Sequence, residues 1–100
     1  MTDPEPRFEL AQRAVRDLRK MDGPQRRRVR DALEALAAGA ENLDVKALAG
    51  RAPWLRLRVG DWRVLYRPLS AEEAVGGPGW LVARVVDRRD LERSVRSLGA

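Results

Sequence analysis

Apolar residues along this chain recur with two different periods, and the change of period separates helical from extended segments. Leu10, Ala14, Val15, Leu18 and Met21 follow one another at helical spacing. Asp22-Gly23 stops that run, and Pro24 suits the first turn of a following helix. Val29, Ala32, Leu33, Leu36 and Ala37 form the apolar stripe of this second helix, which ends near Gly39. Two helices joined so briefly predict an antiparallel αα-hairpin. Upstream, Arg7-Phe8-Glu9-Leu10 reads either as a short strand or as the lead-in to the first helix. Residues 1–6, with Pro4, Pro6 and acidic neighbours, read as a flexible tail.

The period then drops to two. In WLRLRVGDWRVLYR, Trp54 to Arg67, the residues Leu55, Leu57 and Val59 alternate with Trp54, Arg56 and Arg58. Gly60-Asp61 supplies a two-residue hairpin turn, and Trp62 to Arg67 is the return strand. A two-residue loop sets the register: Val59 faces Trp62, Arg58 faces Arg63, Leu57 faces Val64 and Arg56 faces Leu65. Paired residues share a face of the sheet. One face therefore carries Leu55, Leu57, Val59, Trp62, Val64 and Tyr66, and belongs to the core. The other carries Trp54, Arg56, Arg58, Arg63, Leu65 and Arg67, a basic platform. Like charges directly opposed across a strand pair cost some tenths of a kcal/mol, roughly. The platform is thus either a set of solvated side chains that splay apart or an anion site whose forked donors suit phosphate.

The remaining segments are shorter. ENLDVKALAG, 41–50, is a connector with one apolar turn at Val45, Leu48 and Ala49. SAEEAVGGPG, 70–79, is a loop by composition. Trp80 to Val86 is a mostly apolar run interrupted by Arg84, as expected of a strand buried on both faces. DRRDLERSVRSLG closes the chain as a short amphipathic helix or a tail built on Leu91, Val95 and Leu98. The order is an α+β domain, with helices over one face of a small antiparallel sheet.

Composition narrows the chemistry. One hundred residues suffice for a single domain with a modest core, spanning 1–100. The formal net charge is +5, with 20 Lys+Arg against 15 Asp+Glu, which favours a polyanionic partner. Lys20 and Lys46 are the lysines and every other basic residue is arginine, so arginine placement says more than arginine number. The polar helix faces carry Arg13, Arg16, Arg19, Arg26, Arg27, Arg28 and Arg30. Asp17, Asp31 and Glu34 dilute them, so these faces read either as ordinary solvated surface or as a second nucleic-acid surface. The sequence has no cysteine and no histidine. Disulfides, thiol chemistry, the usual zinc sites and the commonest acid/base residue at neutral pH are therefore excluded. The N-terminus lacks the pattern of a signal peptide, and no apolar run approaches the roughly 18 residues of a membrane span. A cytoplasmic protein without a membrane partner is expected.

The element order, together with KALAG…WLRLRVGDWRVLY…VARVVDRRD, resembles the RelE/ParE family of bacterial type II toxins from about Phe8 to about Val95. The resemblance implies a compact RelE-like domain: an N-terminal αα-hairpin packed on a small antiparallel sheet, with a short C-terminal helix. It implies a toxin that cleaves mRNA on the ribosome without a metal or other cofactor. A cognate antitoxin would block it, and operator DNA would be met only through that antitoxin. Two other functions fit the same fold: DNA gyrase inhibition, as in ParE-type members, or a catalytically decayed antitoxin-binding co-repressor. Carried over by motif, the catalytic set is Arg56, Arg58, Arg63 and Arg89. Arg88 is adjacent, and Arg67, Lys46 and Trp54 are expected to help hold RNA. Asp87 and Glu92 stand where many members have a histidine and a tyrosine, which makes Glu92, with Lys46 and Asp87, a candidate for proton transfer. Trp54 is open to two readings: stacking on a base or closing the edge of the core.

Overall fold

The computed structural model describes residues 7–98; the expected tail, 1–6, lies outside them. Helix α1 (Gln12–Lys20) buries Ala14 and ends against the buried Met21. Helix α2 (Gly23–Ala37) begins at Asp22, whose carboxylate accepts the Gln25 N–H at 2.9 Å and so satisfies one orphan donor of the first turn. Asp22 thus starts the second helix, the first having ended at Met21, whose backbone is extended. Gly39 follows α2 with φ +84°, a conformation that suits glycine past a helix end. Leu10 does not belong to α1. It closes strand β1 (Arg7–Leu10) and is 42% exposed, because the helix begins only after Ala11 has donated its N–H to the Val82 carbonyl.

The sheet contains β1, β2 (Val45–Ala47), β3 (Leu55–Val59), β4 (Trp62–Pro68) and β5 (Gly79–Asp87), in the order β1-β5-β4-β3-β2. The β3–β4 hairpin has the expected register, with Val59 opposite Trp62, Arg58 opposite Arg63, Leu57 opposite Val64 and Arg56 opposite Leu65. Its turn holds Gly60 at φ +60°, the positive value that the first position of a type II′ hairpin requires.

Two parts of the sheet differ from the sequence expectation. The connector 41–50 contains β2, which pairs antiparallel with β3. The strand is short, and Lys46 and Ala47 are exposed on it, so alternation is hardly visible there. The sheet is also mixed rather than wholly antiparallel, since β1 runs parallel to β5. Gly79 permits that pairing: a Cβ there would collide with the Arg7 carbonyl.

The two faces are covered unequally. On one, α1 and α2 close the main core over Leu57, Val59, Val64, Tyr66, Val82 and Val85. Tyr66 is 1% exposed and meets Phe8 edge-on. Helix α3 (Leu91–Arg96) follows a 3-10 turn over Arg88–Asp90 and lies on the opposite face. There Trp54, Leu65 and Leu98 form a second small core with Leu91 and Val95. The helices therefore flank the sheet instead of lying over one side. The Leu91, Val95 and Leu98 stripe has its own apolar patch to cover.

Asp17 of α1 closes the remaining gap. Strand β1 pairs with β5 only as far as Val82. Beyond it, the Asp17 carboxylate accepts the Val85 N–H at 2.9 Å and two Arg84 donors at 2.8 and 3.2 Å. A side chain here takes the place of a neighbouring strand, and it explains the lone arginine in the apolar run.

Candidate anion-binding site

Three strands and the 3-10 turn assemble the platform. Pairing places Lys46 beside Arg56 and Leu65 in one row, and Arg58 beside Arg63 and Val86 in the next. Arg63 is the centre of the group. Its guanidinium donates to the carbonyls of Gly60 at 2.9 Å and Trp62 at 3.1 Å, with no carboxylate as a direct partner among the described residues. Partial burial lowers its pKa from the ordinary value, and the positive charges of Arg58, Arg56 and Arg88 lower it further, with Asp44 opposing. An arginine among arginines, held by neutral carbonyls, has the fixed donors that an anion site requires.

Two carboxylates limit the repulsion. Asp44 lies 3.3 Å from Arg56 and 4.0 Å from Arg58, and its backbone carbonyl accepts the Arg58 N–H. Arg56 is drawn in until its side chain is 12% exposed, whereas Arg58 remains 56% exposed. Asp61, in the hairpin turn, stands 3.9 Å from Arg88, and its carbonyl accepts the Arg88 backbone N–H at 2.8 Å. Sequence reasoning missed both acids. Asp44 lies two residues before Lys46, but only the pairing of β2 with β3 reveals what it touches.

The other expected site residues separate into distinct places. Arg67 is engaged by Glu73, at 2.6 and 3.0 Å, and lies over the Trp54 ring at 5.7 Å. Glu73 also accepts the Ser70 N–H, and these bonds, that to Arg67 foremost, bring its pKa down to about 2. Arg67 is thus a clasp for the 70–79 loop rather than a free phosphate ligand. Of the two readings of Trp54 the structure favours the core edge: at 7% exposure, packed with Leu65 and Leu98, it closes the second core. Lys46 is exposed on β2 at the platform edge. Glu92 is exposed in the first turn of α3 and bonds to none of the platform arginines.

Arg88 and Arg89 diverge. Arg88 contributes to the field at Arg63, while Arg89 is held by Asp87, which accepts both its backbone N–H at 2.9 Å and its Nε–H at 3.0 Å. The Arg89 backbone N–H and then its side chain lower the Asp87 pKa, and Asp87 in turn raises that of Arg89. Asp87 is consequently a fixed carboxylate that caps the 3-10 turn. Tyr66, the single tyrosine, has its pKa raised by burial. Among the described residues, no cluster of three or more His, Cys, Asp or Glu is placed to hold a metal ion, and no helix is long and apolar enough to cross a membrane.

Comparison with known proteins adds a family model and a fold. The model for the ParE toxin of type II toxin-antitoxin system, parDE, matches residues 8–91. No curated protein matches significantly. The RelB-RelE antitoxin-toxin complex from Methanococcus jannaschii contains a chain of similar fold, with a TM-score of 0.64 and 22% identity over 85% of this chain and 95% of that one. The archaeal RelE-RelB complex from Pyrococcus horikoshii OT3 is similar at a TM-score of 0.60 and 24% identity, over 85% and 97% of the two chains.

Proposed function

The chain belongs to the ParE toxin family of type II toxin-antitoxin systems, and from that premise we propose that it is a toxin whose arginine platform holds the backbone of mRNA during cleavage on the ribosome. The observation that carries the reading is Arg58 directly across the strand pair from Arg63, with Arg56 on the same face and Arg88 contributing to the field there, while Arg63 itself donates to the Gly60 and Trp62 carbonyls. Metal-free cleavage of RNA forms a bond from the ribose 2′-oxygen to phosphorus and breaks the bond to the 5′-oxygen. The intermediate carries extra negative charge on its phosphoryl oxygens, which fixed guanidinium groups stabilise. One proton leaves the 2′-hydroxyl and one arrives at the 5′-oxygen. Asp44, Asp61 and Lys46 border the platform, and of these Asp44 is suited to accept the first and Lys46 to supply the second. Arg63 itself is a poor base, since arginine pKa values stay above about 12.

A cognate antitoxin is the expected partner. The related chains occur in complexes with RelB, and an acidic segment would be steered to this face by charge complementarity.

Primer extension on a translated message, with purified protein added with and without ribosomes, tests the proposal. Cuts should appear only with ribosomes and fall by about 100-fold or more in Arg63→Ala, the scale of losing one transition-state donor. Uncut message would overturn it. A second reading, gyrase inhibition, is favoured by one specific finding. The chain has no histidine, and its single tyrosine is buried in the core, so the side chains most often used for such proton transfer are absent from the surface. Blocking gyrase requires none. A supercoiling assay on the same preparation distinguishes the two.

A further inference from the structure

A cleft of about 580 Å³, rimmed by charged side chains, lies along the free edge of β5, between α1 and α3 and beyond the platform. Its α1 wall is the stripe Arg13, Asp17, Lys20, residues that share one helix face by their spacing. Arg89 and Arg93 stand on the opposite side. Each acid of the lining is already occupied: Asp17 by Arg84 and the Val85 N–H, Asp87 by Arg89, Asp90 by Arg93 at 2.7 Å. Arg13 and Lys20 have no carboxylate partner among the described residues, and both are exposed. The cleft therefore presents surplus donors and saturated acceptors. Trp62, half-buried, adds an aromatic edge to the lining.

We propose that this cleft is a second anion-binding subsite, which takes the single-stranded RNA segment flanking the one held on the platform. The inference rests on the reading of the platform as an RNA site. What joins the two is the 3-10 turn: Arg88 reaches the field of Arg63, and the next residue, Arg89, lines the cleft. A strand leaving the platform past Arg88 meets Arg89, then the α1 stripe. The acids of the cleft do not repel it because each is paired. Arg89 and Arg93, 83% and 79% exposed at their side chains, are free to exchange a carboxylate contact for a phosphate.

The test is fluorescence anisotropy with two labelled 2′-O-methyl RNA strands, a tetranucleotide and a dodecanucleotide. The double variant Arg13→Ala/Lys20→Ala should lower dodecanucleotide affinity about tenfold. It should also reduce the slope of log affinity against log salt by roughly 1.4, two contacts at about 0.7 each. Tetranucleotide binding should be unchanged, and Arg13→Lys/Lys20→Arg should keep wild-type affinity for both. Arg63→Ala should weaken both strands. If instead Arg63→Ala weakens neither while the α1 double variant still weakens the dodecanucleotide, the cleft stands and the platform reading fails. Unchanged dodecanucleotide affinity and slope in the α1 double variant, with Arg63→Ala still weakening it, would overturn the cleft alone. Loss of binding to an acidic dodecapeptide without loss of RNA binding would also overturn it, and would make the cleft a protein-docking surface.

Discussion

The two faces of the sheet are built from the same strands, yet they differ in almost every physical respect. The helix-covered face gathers Leu57, Val59, Val64, Tyr66, Val82 and Val85 under α1 and α2. The opposite face is divided. Helix α3 covers the part around Trp54 and Leu65, and the part toward the hairpin turn is left to Arg56, Arg58, Arg63 and Arg88. Burial of apolar area stabilises the first face at about 25 cal/mol per Å². The arginines bury little apolar area in comparison, and the opposed pair Arg58–Arg63 works against folding. The proposed anion-binding role accounts for their arrangement, whereas that of the first face is explained by folding alone.

The contrast can be broken most forcefully from the covered side. Tyr66→Ala removes a side chain that is 1% exposed at the centre of the main core. It should lower the unfolding free energy by about 3 to 5 kcal/mol, the range for truncating a large buried aromatic, as measured by urea denaturation. At the join between helix layer and sheet edge, Asp17→Asn keeps an acceptor for the Val85 N–H but removes the charge that Arg84 bonds to. A loss of about 1 to 3 kcal/mol is expected. In a double-mutant cycle with Arg84→Met, the second change should recover part of that loss; strict additivity would mean that the pair is not coupled.

On the open side the sign reverses. Arg58→Thr should raise stability by some tenths of a kcal/mol, roughly, by relieving the cross-strand repulsion, while weakening binding to the dodecanucleotide. A destabilised Arg58→Thr would show that the arginine packs rather than waits for a ligand. The smallest effect appears only in acid. The Glu73 carboxylate has a folded pKa of about 2 against an ordinary 4.5, chiefly through Arg67. Its contribution is therefore fully present above pH 4.5 and is lost as the pH falls through 2. Glu73→Gln should flatten the decline of the denaturation midpoint within that window and leave toxicity unchanged. An identical acid limb in both proteins would mean the clasp does not hold in solution.

Local pattern was enough for much of this molecule. Period two placed Arg56, Arg58 and Arg63 on one face, and the two-residue Gly60-Asp61 loop set their register, because a tight turn leaves the strands no freedom to slip. Helical spacing identified both helices of the N-terminal half and the apolar stripe of α3, and Pro24 and Gly39 marked the limits of the second helix. Those features depend on residues a few positions apart. What remained was decided by contacts between residues far apart in the chain. Asp17 and Arg84 are 67 positions apart, and nothing near either one announces that they bond. The parallel pairing of β1 with β5 depends on Gly79 admitting the Arg7 carbonyl, and the burial of Trp54 depends on Leu98 arriving over it. The divergence of Arg88 and Arg89 is set by where the 3-10 turn leaves the end of β5. A sequence pattern states which side of its own element a residue occupies. Which element will cover that side is a matter of tertiary packing, and the division of the arginines between platform, clasp and cleft was decided there.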